Sequence, residues 1–253
     1  GELVGPARLW CDSRNEIEGE ELTKRLGTKC PKRMTSVRWL WTIRNQPEKA
    51  KHVRHITTPA GWIAYRLTGS WSLGIGDAAG MFPIDQKTLN YNATMLDEFD
   101  FMANDSAKDD SLKNTLSKLG ELLPSVKKAG EDGGVLDSHG AGFLGLPEGI
   151  PVAPAEGDQP AALAGSLIAS PGQVSMSFGT SVVANSVGDR AFEGISLPID
   201  HFCAPDGRPI NMVWLRNGTT AMNMTVDLFG GDFSAIMPQV LAAEDNCGGL
   251  LAL

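Results

Sequence analysis

The sequence predicts an α/β fold, and three observations carry that expectation. Short apolar runs, among them Ile150–Pro154, Val174–Phe178 and Ile210–Leu215, alternate with segments whose apolar residues recur at helical spacing. Such alternation is the pattern of a sheet covered by helices. No segment repeats at the roughly 20–50-residue periods of solenoids. At 253 residues the chain has room for one large or two small domains.

Taken in order, Pro6–Arg14 reads as a loop into a short strand. Asn15 is placed to cap a helix over Glu16–Leu26, with Gly27 as its stop and four glutamates crowding its first half. Thr35 or Ser36 caps the next helix, through Val37, Leu40, Trp41 and Arg44. Pro47 opens a short helix to His52, and His55–Thr57 reads as a brief strand. Thr58-Pro59 is a cap followed by a first-turn proline, and the helix it starts runs to Gly69. The glycine-rich stretch Ser72–Asp85 reads as a loop, and the acidic segment from Leu96 to Asp110 as a solvated helix end and loop. That acidic segment lacks the spacing and central glycine of a calcium loop. Leu112, Leu116, Leu119 and Leu123 line one side of a helix over 111–123, which Pro124 ends. A glycine-rich passage, 130–149, leads to the strand Ile150–Pro154. Beyond residue 181 the expectation is a variable loop, the strand Ile210–Leu215, a polar turn at 216–220 and a helix over Ala221–Phe229. Another strand opens at the C-terminal end.

Composition narrows the function. With 22 Lys+Arg against 30 Asp+Glu the formal net charge is -8, which argues against a nucleic-acid partner. No uncharged apolar run approaches the ~20 residues of a membrane helix, and no signal peptide opens the chain. Cys11, Cys30, Cys203 and Cys247 have no metal or redox spacing, as expected of reduced thiols in a cytoplasmic protein. His52 and His55 sit among Lys49, Lys51 and Arg54 with no third ligand nearby, and read as solvated.

The chain is organised around residues 157–181, GDQPAALAGSLIASPGQVSMSFGTS. Asp158 precedes a small-residue helix, Pro160–Ala169; a turn, the strand Val174–Phe178 and the tight turn Gly179-Thr180-Ser181 follow. Helix N-termini and glycine turns at strand ends offer free N–H groups to phosphate. A carboxylate beside them can orient and deprotonate an attacking hydroxyl. The same residues also suit plain structural roles, Asp158 as a helix N-cap and Gly179-Thr180 as a strand-end turn.

GDQPAALAG followed by SFGTS resembles the signature region of the FGGY carbohydrate kinases. WCDSR at 10–14, YRLTG at 65–69, DAAGMFPID at 77–85 and GLPEGIPVAPAEGDQPAA up to residue 162 are similar to family segments in the same order. The resemblance implies an actin-like, ribonuclease H-type two-domain fold. Residues 1–154 would be the later part of the sugar-binding domain and 155–253 the early part of the nucleotide-binding domain. It implies ATP-dependent transfer to a ketose or polyol, with Mg²⁺ bridging the phosphates, and admits a homodimer. Asp158 matches the catalytic base, with Gln159 beside it to contact substrate or phosphate. Gly179 and Thr180 match a phosphate turn, and Gly218 a glycine lining the nucleotide. Asp12 and Arg14 would form an ion pair in the sugar-cleft wall with Trp10 packed behind, and Lys32 and Arg33 would face the substrate. The family's opening Asp-x-Gly-Thr phosphate loop and its later adenine segment have no match, so an incomplete kinase is expected, inactive on its own. Two alternatives stay open: a sugar-binding or regulatory remnant of the same fold, and a non-kinase actin-like ATPase or phosphatase.

Overall fold

A computed structural model describes residues 2–108, 110–168, 170–190, 194–195 and 198–249. The chain divides into two compact units, Gly1–Ser175 with Asn185–Val213, and Met176–Ala184 with Trp214–Leu253. The division runs through strands, within 174–187 and 209–215.

In the first unit, α1 (Glu16–Leu26) ends at Gly27 with φ 66°, a left-handed cap that glycine adopts without strain. Asn15 stands at its N-cap as expected but makes no side-chain cap; its amide donates instead to the Lys32 carbonyl at 2.5 Å. The expected strand before it does not form. α2 (Thr35–Asn45) starts a residue earlier than expected, with Met34 at the N-cap. α3 (Pro47–Ala50) follows. His55–Thr57 is extended but outside any sheet, and the Ile56 N–H donates to the Leu122 carbonyl. α4 (Pro59–Thr68) is built as its sequence predicts: the Thr58 hydroxyl accepts from Gly61, and Gly69 closes the helix at φ 68°.

The stretch 72–85 corrects the expectation of a loop. It holds β1 (Ser72–Gly74), α5 (Ile75–Met81) and β2 (Ile84–Asp85). Gly74, Gly76, Ala78 and Ala79 are buried, so small side chains here serve close packing rather than flexibility. β3 (Asn90–Tyr91) pairs antiparallel with β2. Most of the acidic segment is helical, in α6 (Ala93–Ser106), whose Phe99 is fully buried.

The single helix expected over 111–123 is two short ones, α7 (Asp110–Lys113) and α8 (Leu119–Leu122). The Asp100 carboxylate on α6 accepts the Leu119 N–H at 2.8 Å and starts a new turn there. Leu112, Leu119 and Leu123 reach the core all the same. β4 (Ser125–Lys127) lies parallel to β1, Leu73 opposite Val126. α9 (Ser138–Leu144), capped by Asp137, occupies the glycine-rich passage. Ile150–Pro154 is no strand; it contributes an isolated bridge, Val135 to Pro151. α10 (Asp158–Gly165) starts two residues before the expected Pro160 and ends at Gly165, short of the expected Ala169, and β5 (Val174–Phe178) follows as expected.

β6 (Val182–Val187) replaces the expected loop, and β7 (Asp200–Cys203) and β8 (Pro209–Leu215) complete a four-stranded sheet of order β5-β6-β8-β7. β7 and β8 are antiparallel, Phe202 opposite Ile210. The main core of the first unit gathers α1, α2, α5, α6 and α8 around Leu40, Ile43, Phe82 and Phe99. Ile75 and Ala79 of α5 pack on Cys203 of β7, and Leu163 of α10 on Val187 and Ile210.

The second unit carries α11 (Thr219–Leu228) and α12 (Phe233–Ala242), the latter not anticipated. Val226 is its one buried apolar side chain among the described residues. The strand expected at the C-terminal end falls on 250–253, and Ala169 at the end of the predicted helix is likewise outside the described residues.

Candidate active site

Asp158 is the first residue of α10 and is exposed; Gly157, not Asp158, occupies the N-cap position. Its Oδ1 accepts the N–H of Gln159 at 2.7 Å, which fixes one oxygen. The Gln159 side-chain Oε1 in turn accepts from the Asn185 Nδ2 on β6 at 3.0 Å. Asn185 is only 6% exposed, so this anchor is rigid, and its own Oδ1 is buried without a partner.

Two further carboxylates lie close by. The Asp77 Oδ2 on α5 accepts from the Thr58 hydroxyl at 2.6 Å. Burial lifts the Asp77 carboxyl above the ordinary carboxylate range, the Thr58 bond opposes that, and the charge of Asp158 adds to the lift. Glu156 accepts the N–H groups of Gly76 and Asp77 at 3.3 and 3.0 Å. Burial pushes its carboxyl up to about 7, against those two bonds and with the help of the Asp77 charge. Neither residue was foreseen, because each acquires its surroundings across some 80 residues of chain. The signal available in the sequence was the pair Gly74 and Gly76, where missing side chains mark a close approach.

In the second unit, Gly179, Thr180 and Gly218 come together. The Gly218 N–H donates to the Thr180 carbonyl at 2.9 Å and the Thr219 N–H to the Gly179 carbonyl at 2.8 Å. A side chain on Gly218 would overlap the Gly179 carbonyl oxygen. Gly218 is also the N-cap of α11, so the turn between β5 and β6 is tied to the start of a helix. Gly179 and Thr180 are exposed.

The remaining expected residues form a separate group in the first unit. Asp12 and Arg14 are ion-paired as expected, and the Arg14 guanidinium holds the Asp12 carboxyl well below the usual range. Trp10 is not behind them: it is 70% exposed, and Trp41 takes that place, with Arg8 and Arg14 over its ring. Arg33 donates to the buried Asp200 at 2.6 Å and lies over the Phe202 ring. Lys32 Nζ is 3.7 Å from Glu16. Among the described residues no hydrogen bond or ion pair joins these four to Asp158 or Gln159.

Among the described residues no group of three or more His, Cys, Asp or Glu is arranged to hold a metal. All four cysteines are free, and among the described residues no helix is long and apolar enough to cross a membrane.

The FGGY family of carbohydrate kinases, N-terminal domain, matches residues 2–165. A xylulose kinase from Streptomyces coelicolor is 30% identical over 249 residues, 94% of this chain and 47% of its own length. One from Haemophilus influenzae is 23% identical over 98% of this chain and 49% of its own. The crystal structure of xylulose kinase from Bifidobacterium adolescentis superposes with a TM-score of 0.76 at 19% identity, covering 97% of this chain and 55% of that one. The chain thus spans about half the length of the relatives it matches. Its fold is the actin-like, ribonuclease H-type fold of sugar kinases. By family match and by fold, the chain belongs to the FGGY family of carbohydrate kinases.

Proposed function

We propose that this chain is part of an ATP-dependent carbohydrate kinase that transfers the γ-phosphate to a hydroxyl of a ketose or polyol, with Asp158 as general base. The observation that carries it is Asp158 itself, exposed at the first turn of α10 with one oxygen held by the Gln159 N–H. Its other oxygen is then available to take the proton of an acceptor hydroxyl and to orient that oxygen. Because the transition state of phosphoryl transfer is largely loose, orientation counts for more than basicity. Gln159, anchored by Asn185, contacts the acceptor or the transferring phosphate. The xylulose kinase relatives favour a ketose as acceptor. An exposed carboxylate in this setting favours an active enzyme over a sugar-binding remnant.

ATP supplies the phosphoryl group. The residues fit its phosphates in kind: the exposed Gly179-Thr180 turn presents a hydroxyl and an uncrowded backbone, and Gly218 lets the start of α11 lie against it. Mg²⁺ would be held through the substrate phosphates and would offset their charge, as that ion usually is; among the described residues no carboxylate cage is arranged for it. Asp12, Arg14, Lys32 and Arg33 serve the sugar side, Asp12 with Arg14 and Arg33 with Asp200 as paired wall elements. Residues 1–154 and 155–253 are taken as parts of the sugar-binding and nucleotide-binding domains. Four free thiols support a cytoplasmic setting.

The test is ADP release by the complete protein across a panel of ketoses and polyols, with Asp158→Ala beside it. We expect a loss of about 10²–10⁴-fold in turnover with an unchanged melting temperature. Near wild-type turnover in the variant would remove Asp158 from the reaction.

A further inference from the structure

The segment that carries Asp158 is strapped to α5 by a side chain that the reaction itself does not use. The Gly74 N–H donates to the Ala155 carbonyl at 2.7 Å. Glu156 then turns its carboxyl group into a slot between residues 74 and 77. Oε1 accepts from Gly76 and Oε2 from Asp77, one amide for each oxygen. The slot exists because two residues lack side chains. A Cβ on Gly74 would overlap the Glu156 carboxyl, and one on Gly76 would come within 2.5 Å of Oε2 and 2.6 Å of Pro160. Their φ values are not left-handed, so the requirement is for space and not for backbone freedom. On the far side, Gly157 passes so near Asp77 that a Cβ there would meet Oδ1 at 3.0 Å.

We propose that Glu156 is a positioning residue: its carboxylate, seated in the glycine slot on the amides of Gly76 and Asp77, fixes the Gly157–Asp158 backbone so that Asp158 meets the acceptor hydroxyl at a set distance. The proposal rests on the kinase reading for its effect on turnover, while the strap itself stands on geometry alone. The ionised carboxylate is the stronger acceptor for both amides. Protonation makes one oxygen a hydroxyl, a much weaker acceptor, so the strap loosens as pH falls through about 7. The titratable groups facing Glu156 are Asp77 from α5 and Cys203 from β7, whose thiol burial and the Glu156 charge push up to about 12. Asp158 lies two residues along on α10 and is coupled to Asp77.

The experiment compares Glu156→Ala and Glu156→Gln with the unaltered complete protein. Loosening a positioned group by about 1 Å costs on the order of 10²-fold. Glu156→Ala should therefore lower kcat about 10²-fold with KM for sugar and ATP within about threefold, and Glu156→Gln, which keeps one acceptor, should recover about half of that loss on a logarithmic scale. The kcat–pH profile of Glu156→Gln should lose the acid limb near pH 7. Amide hydrogen exchange read in parallel should quicken at 74–78 and 155–160 and nowhere else. Unchanged kcat, equal losses in kcat and thermal stability, or unchanged exchange in those two segments would each overturn the proposal. If the unaltered protein transfers phosphate to no sugar in the panel, the kinase reading fails. The exchange measurement then decides the strap: faster exchange confined to the two segments upholds it, and unchanged exchange removes it.

Discussion

The two units hold their functional residues by different means. The first buries Leu22, Leu40, Phe82 and Phe99 completely and fixes Gln159 and Glu156, on either side of Asp158, through side-chain hydrogen bonds to Asn185 and to the amides of Gly76 and Asp77. The second, among its described residues, buries one apolar side chain, Val226, and Met224, Leu228 and Phe229 of the α11 region stand largely in solvent. There the expected phosphate turn is shaped by two backbone hydrogen bonds and the absence of a Cβ on Gly218. A core disciplines the first region; local backbone geometry disciplines the second. Substitutions should therefore act through packing in one and through the path of the main chain in the other.

The largest effect should come from the core. Phe82 is fully buried and meets Phe99 edge to face at 6.1 Å between ring centroids. Phe82→Ala is expected to cost about 3–5 kcal/mol in denaturant unfolding. Its counterpart Leu228→Ala, at a side chain 82% exposed, should stay within about 0.5 kcal/mol. If the two costs were similar, the second unit would possess a core and the contrast would be void.

A smaller effect is expected at Gly218. An added methyl group must displace the Gly179 carbonyl, a strain of about 1–3 kcal/mol. Read as binding, that is roughly a 5- to 150-fold loss of ATP affinity by calorimetry, with sugar affinity unchanged. A parallel loss of sugar affinity would show that the turn is not independent of the first unit.

The third expected effect is a pH slope. Burial raises the Glu156 carboxyl from its ordinary 4.5 to about 7, so between those values the folded chain holds a proton that the unfolded chain releases. The linked stability is full below the ordinary value and is lost as pH rises through about 7. Asp77, raised for the same reason, adds to the slope in the same direction. Melting temperature should fall between pH 5 and pH 8, and Glu156→Gln should flatten part of that fall. Turnover and stability would then run in opposite directions through one titration. A melting temperature that rises across this range would contradict the burial of both groups.

Elements with strong local punctuation were legible in the sequence. Thr58-Pro59 to Gly69 and Glu16 to Gly27 carry their own start and stop signals, and both helices form within those limits. The stretch 72–85 was not legible, because glycine and alanine look like a loop until a partner is known. Here the partners are Glu156, Pro160 and β7, which no local window contains. The leucines of 111–123 have the spacing of one helix, yet the Asp100 carboxylate breaks it in two from a distant helix. The same limit explains the site. Asp158 and the 179–181 turn stand beside each other in a recognisable string, whereas Asp77, Glu156 and Asn185 acquire their surroundings only when the chain folds back. Arg33 was legible as a functional candidate but not its buried partner Asp200.

The contact of α5 with β7 has a consequence for biosynthesis. Ile75 and Ala79 are covered by Cys203, and Arg33 finds Asp200. On the ribosome those partners emerge well over a hundred residues apart. At about 5–20 residues per second, α5 waits on the order of ten seconds with an apolar stripe open before β7 is made. During that interval the nascent chain presents a surface that chaperones bind, and slower translation of the segment before residue 200 would lengthen the exposure. The yield of folded protein should therefore depend on codon usage between α5 and β7 more than on codon usage before residue 72.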